Sequence, residues 1–95
     1  VFEDLKVDRV QRRVYRADKQ VIVGPTEFNL IDFLIKSPKR VYSREQLLNS
    51  VWGDDIYVES RTIDVHIRRL RKAINIDGKK DLIRTVRSAG YSLDA

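Results

Sequence analysis

The chain has 95 residues, a formal net charge of +5, one histidine and no cysteine. That length holds one small hydrophobic core, and the lack of cysteine removes disulfide staples, thiolate metal sites and thiol catalysis. A lone histidine builds no histidine cluster, and no apolar run approaches the roughly 18 residues that a membrane-spanning helix needs. One cytoplasmic domain over residues 1–95 is therefore expected, with no membrane partner. Because the first residue is Val1 and not methionine, the chain is expected to be an excised fragment.

Residues 1–23 alternate in short stretches, with Leu5 and Val7, then Val14, then Val21 and Val23. Together with the polar turn at 16–19 this reads as a small antiparallel sheet. Pro25 suits the first position of a helix, since its fixed φ fits and its missing N–H would have had no partner there. That helix is expected to run to about Lys36, with Phe28, Ile31, Leu34 and Ile35 on one face, and Ser37-Pro38 ends it. The second helix has the clearest start. Ser43 can cap it, Gln46 can close a capping box, and Tyr42 and Leu47 occupy the staple positions. Leu47, Leu48, Val51 and Trp52 supply its buried side, and Gly53 ends it in the manner of a left-handed cap. The acidic loop 54–59 follows. A third helix is expected over 61–75, and beyond Asp77-Gly78 the alternation of Leu82, Arg84 and Val86, a turn at 87–90, and Tyr91 and Leu93 read as a terminal hairpin.

Charge is concentrated along the chain. Residues 43–60 carry one basic and four acidic side chains, while 61–72 carry five basic and one acidic. On the third helix Ile63, Ile67, Leu70 and Ile74 fall within about 60° of one another, a narrow buried stripe. Arg61, Thr62, Val65, Arg68, Arg69 and Lys72 take the opposite half, with Asp64, His66 and Arg71 at its borders. A rod of roughly 22 Å with few acids on its outer face suits a major groove. A solvated face explains the charge alone equally well. The near absence of acids favours DNA, and the order of elements adds weight: a capped second helix, a basic third helix, and a hairpin with arginine at its tip. The longer connection between the two helices, about eight residues, argues for a winged variant of the helix-turn-helix.

Gly24-Pro25-Thr26-Glu27-Phe28, the 40–48 segment Arg40-Val41-Tyr42-Ser43-Arg44-Glu45-Gln46-Leu47-Leu48, Val51-Trp52-Gly53, the run from Arg61 through Ala73, and Gly90-Tyr91 resemble the effector domain of the OmpR/PhoB family over essentially the whole chain. Tyr57-Val58-Glu59 and the run from His66 to Lys72 are most similar to the branch that controls phosphate-responsive genes. The resemblance implies an α+β winged helix with an N-terminal four-stranded antiparallel sheet, three helices and a C-terminal β-hairpin wing. It also implies a preceding receiver domain phosphorylated by a sensor histidine kinase, and head-to-tail binding of two copies to direct repeats in double-stranded DNA. By matching position, Thr62, Asp64, Val65, His66 and Arg69 would face base edges. Trp52, Arg61, Arg68, Arg71, Thr85 and Tyr91 would hold phosphates, and Arg87 would enter the minor groove. Asp54, Asp55 and Glu59 would belong to the loop that touches the sigma subunit of RNA polymerase. No cofactor, metal or enzymatic activity is implied. The wing reads Arg87-Ser88-Ala89-Gly90, where the family usually has glycine directly after the arginine. Serine tolerates positive φ poorly, which leaves the turn open to a different shape and bears on the role of Arg87.

Blander roles compete at several positions. His66 fits a packed, hydrogen-bonded residue as well as a DNA contact, and Trp52 fits the core with its indole N–H free to donate outward. Arg12, Arg13 and Arg16 read as a solvated or subunit-facing basic cluster. A winged helix devoted to protein interaction, or a family member serving another regulon, is the alternative function; a nuclease would need paired carboxylates that no rigid element offers.

Overall fold

The computed structural model describes residues 1–53, 62–76 and 78–94. Three short strands, β1 (Leu5–Asp8), β2 (Arg13–Arg16) and β3 (Lys19–Val21), form an antiparallel sheet in that order. Val7, Val14 and Val21 stand opposite one another across it. This places the buried Val14 and Val21 on one face of the sheet, as a period of two requires. Ala17 and Asp18, both at positive φ, turn β2 into β3, the backbone that a two-residue hairpin of matching twist needs.

The expected fourth strand does not form, and the sheet has three. Phe2 pairs only with Leu5, through Phe2 N–H to Leu5 O at 2.9 Å and Leu5 N–H to Phe2 O at 2.8 Å, with Glu3 between them at φ 52°. A segment folded back on itself so tightly has no length left to run beside β1. At the other end the helix begins at Pro25, too soon after Val21 for another strand.

Helix α1 (Pro25–Lys36) has Pro25 in its first turn and buries Phe28, Leu30, Ile31 and Leu34; Ile35 is only partly buried. Helix α2 (Arg44–Trp52) carries the expected capping box, with Gln46 N–H donating to Ser43 Oγ at 3.1 Å and Ser43 N–H to Gln46 Oε1 at 2.8 Å. The staple residues Tyr42 and Leu47 are both buried. Gly53 ends α2 at φ 84° and ψ 179°, so the cap has positive φ but an extended ψ, a region that is essentially glycine's alone. Helix α3 is described over Thr62–Ile74, and all four residues of its apolar stripe are 0–1% exposed. Each such burial is worth about 1.5–3 kcal/mol, and the stripe fixes which side of α3 is left to solvent.

The wing is β4 (Ile83–Val86) paired antiparallel with β5 (Gly90–Leu93). Alternation fails on β5, where all four residues are buried. The cause is a third backbone beside it: Tyr42 N–H donates to Tyr91 O and Tyr91 N–H to Tyr42 O, both at 2.9 Å. This approach is possible because residue 90 is glycine. A Cβ there would lie 1.9 Å from the Tyr42 carbonyl oxygen.

The basic cluster of the N-terminal sheet is not a solvated surface at Arg16. Its side chain is 2% exposed. It donates to Asp4 Oδ1 at 2.6 Å, Ile74 O at 2.8 Å, Asn75 Oδ1 at 3.0 Å and Lys80 O at 2.7 Å. The guanidinium satisfies the Ile74 carbonyl at the C-terminal end of α3, where a cation also meets the negative end of the helix dipole. Arg12 lies over the Phe28 ring at 4.4 Å. Among the described residues, no helix is long and apolar enough to cross a membrane.

Candidate nucleic-acid interface

With its stripe buried, α3 turns Thr62, Val65, Arg68, Arg69 and Lys72 outward. Val65 is 44% exposed, and Arg68, Arg69 and Lys72 are exposed. These three cations make no hydrogen bond or ion pair with another described residue. Arg69 also lines a recess between α3 and the start of α1, beside His66, Ile22 and Gly24. Neighbouring cations with an exposed valine between their rows offer charge, donors and an apolar contact on one ridge, the mixture a base edge can use.

The residues at the borders of the stripe are engaged within the protein. His66 Nδ1 lies 3.0 Å from Glu27 Oε1 of α1, with both side chains largely buried. Its ring packs against Trp52 with centroids 5.5 Å apart. His66 is thus packed and hydrogen-bonded through Nδ1, with a carboxylate as its partner. Trp52 packs at the edge of the core.

Asp64 accepts from two sides at one oxygen: Arg44 Nε donates to Oδ1 at 2.8 Å and the Tyr91 hydroxyl donates to it at 2.5 Å. Burial pushes the Asp64 carboxyl up, but the hydrogen bonds from Tyr91 and Arg44 and the charges of Arg44 and Arg68 outweigh it, and the net shift is downward. Tyr91 is held above its ordinary value by burial first, then by its bond to Asp64 and that residue's charge, against the opposite pull of Arg44. Arg44 is raised in turn by its bond to Asp64 and that carboxylate's charge. Arg71 reaches the wing, with Nη2 donating to Ile83 O at 2.8 Å and Thr85 Oγ1 at 2.5 Å, and Nε 3.5 Å from Asp81 Oδ2. The Tyr91 ring thus has the Arg44 and Arg71 guanidiniums 5.7 and 5.6 Å from its centroid, within the range of cation–π attraction.

The structure thus brings Asp64, Arg71, Thr85 and Tyr91 into one seam between α3 and the wing, and leaves Thr62, Val65, Arg68 and Arg69 facing outward. Arg87 is exposed at the tip of the wing. In the turn Ser88 takes φ 66° itself, and Ala89 N–H closes on Val86 O at 2.9 Å. Arg61, Asp54, Asp55 and Glu59 lie outside the described residues.

Sequence reasoning missed Arg44 and Glu27 as parts of this arrangement. Arg44 did carry a signal. It is the first residue of α2, where a cation opposes the helix dipole, and such a charge calls for an acidic partner from elsewhere. Glu27 gave none, because an acid in a first helical turn needs no further reason.

Residues 18–93 match the family described as "Transcriptional regulatory protein, C terminal". The phosphate regulon transcriptional regulatory protein PhoB of Rhizobium meliloti (strain 1021) is 58% identical over 92 residues, covering 97% of this chain and 40% of that protein. Its namesake from Escherichia coli (strain K12) is 52% identical over 90 residues, covering 95% of this chain and 39% of that protein. The chain therefore spans about 40% of the length of these curated relatives. Among solved structures, the DNA-binding domain of the response regulator AdeR, in complex with an intercistronic region, superposes with a TM-score of 0.89 at 30% identity. That match covers 99% of this chain and 97% of the other.

Proposed function

Because this chain belongs to the family of transcriptional regulatory protein C-terminal domains, the DNA-binding domains of OmpR/PhoB-type response regulators, we propose that it lays α3 in a major groove and its wing along the neighbouring minor groove. The observation that carries this reading is the outward ridge of α3. Its cations make no hydrogen bond or ion pair with a described residue, and the opposite stripe of the same helix is fully buried, so the ridge cannot turn inward. In this reading Thr62, Val65 and Arg69 meet base edges, while Arg68 and, by matching position, Arg61 hold phosphate. Arg87 enters the minor groove from the wing tip. Trp52 can present its indole N–H to the backbone while its ring stays packed.

The finer reading follows the family resemblance. Two copies bind head-to-tail on direct repeats near phosphate-responsive genes. A preceding receiver domain takes the signal from a sensor histidine kinase in the cytoplasm. The acidic loop with Asp54, Asp55 and Glu59 offers its charge to a basic surface on the sigma subunit of RNA polymerase. The activity of such a domain is transcription control and not catalysis.

Two duplexes test it, one with repeats about one helical turn apart and one with the second repeat moved by half a turn onto the opposite face. Stronger joint protection of the first is expected, and equal protection would remove the head-to-tail pairing. On the preferred site Arg69→Ala should flatten the preference at one base pair, worth about 1–3 kcal/mol. Arg68→Ala should weaken all sequences alike. Uniform loss for Arg69→Ala would take it off the reading face.

A further inference from the structure

A hydroxyl has one proton to donate, and a phosphate oxygen can only accept. The Tyr91 proton is directed at Asp64 Oδ1. While that bond stands, Tyr91 meets an approaching phosphate with lone pairs alone. Asp64 is an anion and repels one. Arg71 is committed as well, with Nη2 on Ile83 O and Thr85 Oγ1 and Nε toward Asp81. The exposed cation of this seam with most donors to spare is Arg44. Among the described residues only its Nε donates a hydrogen bond, to Asp64, and its side chain is 40% exposed; the terminal nitrogens form a planar fork that matches phosphate geometry.

We infer that Arg44 is the phosphate-binding group of the seam between α2, α3 and the wing, and that Asp64 and Tyr91 are positioning residues that aim it and do not touch DNA themselves. The inference rests on the proposed placement of α3 in a groove. Asp64 pins Nε and so fixes the plane of the guanidinium. The Tyr91 ring lies 5.7 Å from it and is itself held by the paired backbone of Tyr42. A cation at the first turn of α2 is unfavourable for that helix, and a phosphate ligand gives it a reason to be there beyond bonding Asp64.

The test is the salt dependence of binding to a duplex of arbitrary sequence, read as the slope of log affinity against log salt. Removing one cation from a phosphate lowers the slope by about 0.9. Arg44→Gln should lower it by about that amount and Arg44→Lys should restore it, which a purely structural role would not do. If the lone Asp64 carboxylate destabilises Arg44→Gln, the double variant Arg44→Gln/Asp64→Asn carries the same readout. Tyr91→Phe should weaken binding in the wild-type background and add nothing in the Arg44→Gln background, since it acts through that residue. An unchanged slope in Arg44→Gln, or additive losses for Arg44→Gln and Tyr91→Phe, overturns the inference. So does Asp64→Asn relaxing the preference for one base pair. A wild-type chain whose duplex affinity ignores salt would overturn the groove placement itself, whereas a steep wild-type slope untouched at Arg44 removes only the inference.

Discussion

Arg16 reaches from the N-terminal sheet to the C-terminal end of α3, and Arg71 reaches from α3 to the wing. Both guanidiniums bond backbone carbonyls, so each fastens a β unit to the same helix. Their surroundings differ. Arg16 is 2% exposed, with four acceptors from four residues, whereas the Arg71 side chain is 29% exposed and sits beside the exposed ridge of α3. The first fastening is part of the core. The second lies at the margin of the candidate interface, where solvent screens its ion pair with Asp81. An arginine's place in a charge run does not say which kind it is; the acceptors that the fold brings to it do.

The largest effect expected is on the buried fastening. Arg16→Ala strands the carbonyls of Ile74 and Lys80, and should cost about 3–5 kcal/mol, a large part of the stability of a domain this small. Arg71→Ala should cost only about 1–2 kcal/mol. Arg16→Lys should recover little, because one ammonium cannot span acceptors set around a fork. Urea unfolding of the three variants measures this, and equal losses at Arg16 and Arg71 would erase the distinction.

Gly90→Ala comes next, at about 2–4 kcal/mol. The added methyl would meet the Tyr42 carbonyl at 1.9 Å, and the φ of 137° is one that side chains avoid. Because the clash separates the wing from the chain before α2, exchange of the Tyr42 and Tyr91 amides should speed up far more than exchange in β1 to β3. Uniform acceleration everywhere would mean that the wing and the sheet are one cooperative unit.

The margin of the wing should also respond to pH. The folded-state value of Asp64 lies below its ordinary 3.8, so its contribution is present above 3.8 and lost as pH falls through the folded value. Tyr91 is raised above its ordinary 10.0, so its contribution is present below 10.0 and lost as pH rises through the folded value. The bond between them therefore stands across the whole range between. Acid titration followed at the Tyr91 amide should show the wing loosening below 3.8 in the wild type, and Asp64→Asn should remove that step.

The outline of the fold was legible because its strongest signals are local. The stripe of α3, the capping box at Ser43 and Gln46, and Pro25 at the head of α1 each lie within a few residues of chain. The missing fourth strand was not legible, since the turn from Phe2 to Leu5 depends on Glu3 taking a left-handed backbone that nothing in its type announces. Arg16 was misread for a related reason: its acceptors Ile74, Asn75 and Lys80 lie 58 to 64 residues away, and only tertiary structure brings them to it. The same limit applies at the interface. Periodicity places Asp64 and Arg71 at the border of the outward half of α3, but whether they are spare or spoken for depends on Arg44, Tyr91 and Thr85 from other elements.

The smallest effect tests the wing turn alone. Ser88 holds φ 66°, a left-handed backbone that costs an L-residue about 1–2 kcal/mol. Glycine escapes that cost but loses more freedom on folding, about 0.5–1 kcal/mol. Ser88→Gly should therefore stabilise the domain by about 0.5 kcal/mol, which for a domain of this size is a rise in Tm of about 2–4 °C. Ser88→Asn should gain part of this, since asparagine visits the left-handed region more readily, and Ser88→Ala should gain nothing because its Cβ meets the same carbonyl. The turn lies far from Arg16, so the gain should add to the Arg16→Ala loss without coupling. Calorimetric melts of the three variants decide it. A gain for alanine equal to that for glycine would place the effect in the serine hydroxyl and not in the backbone.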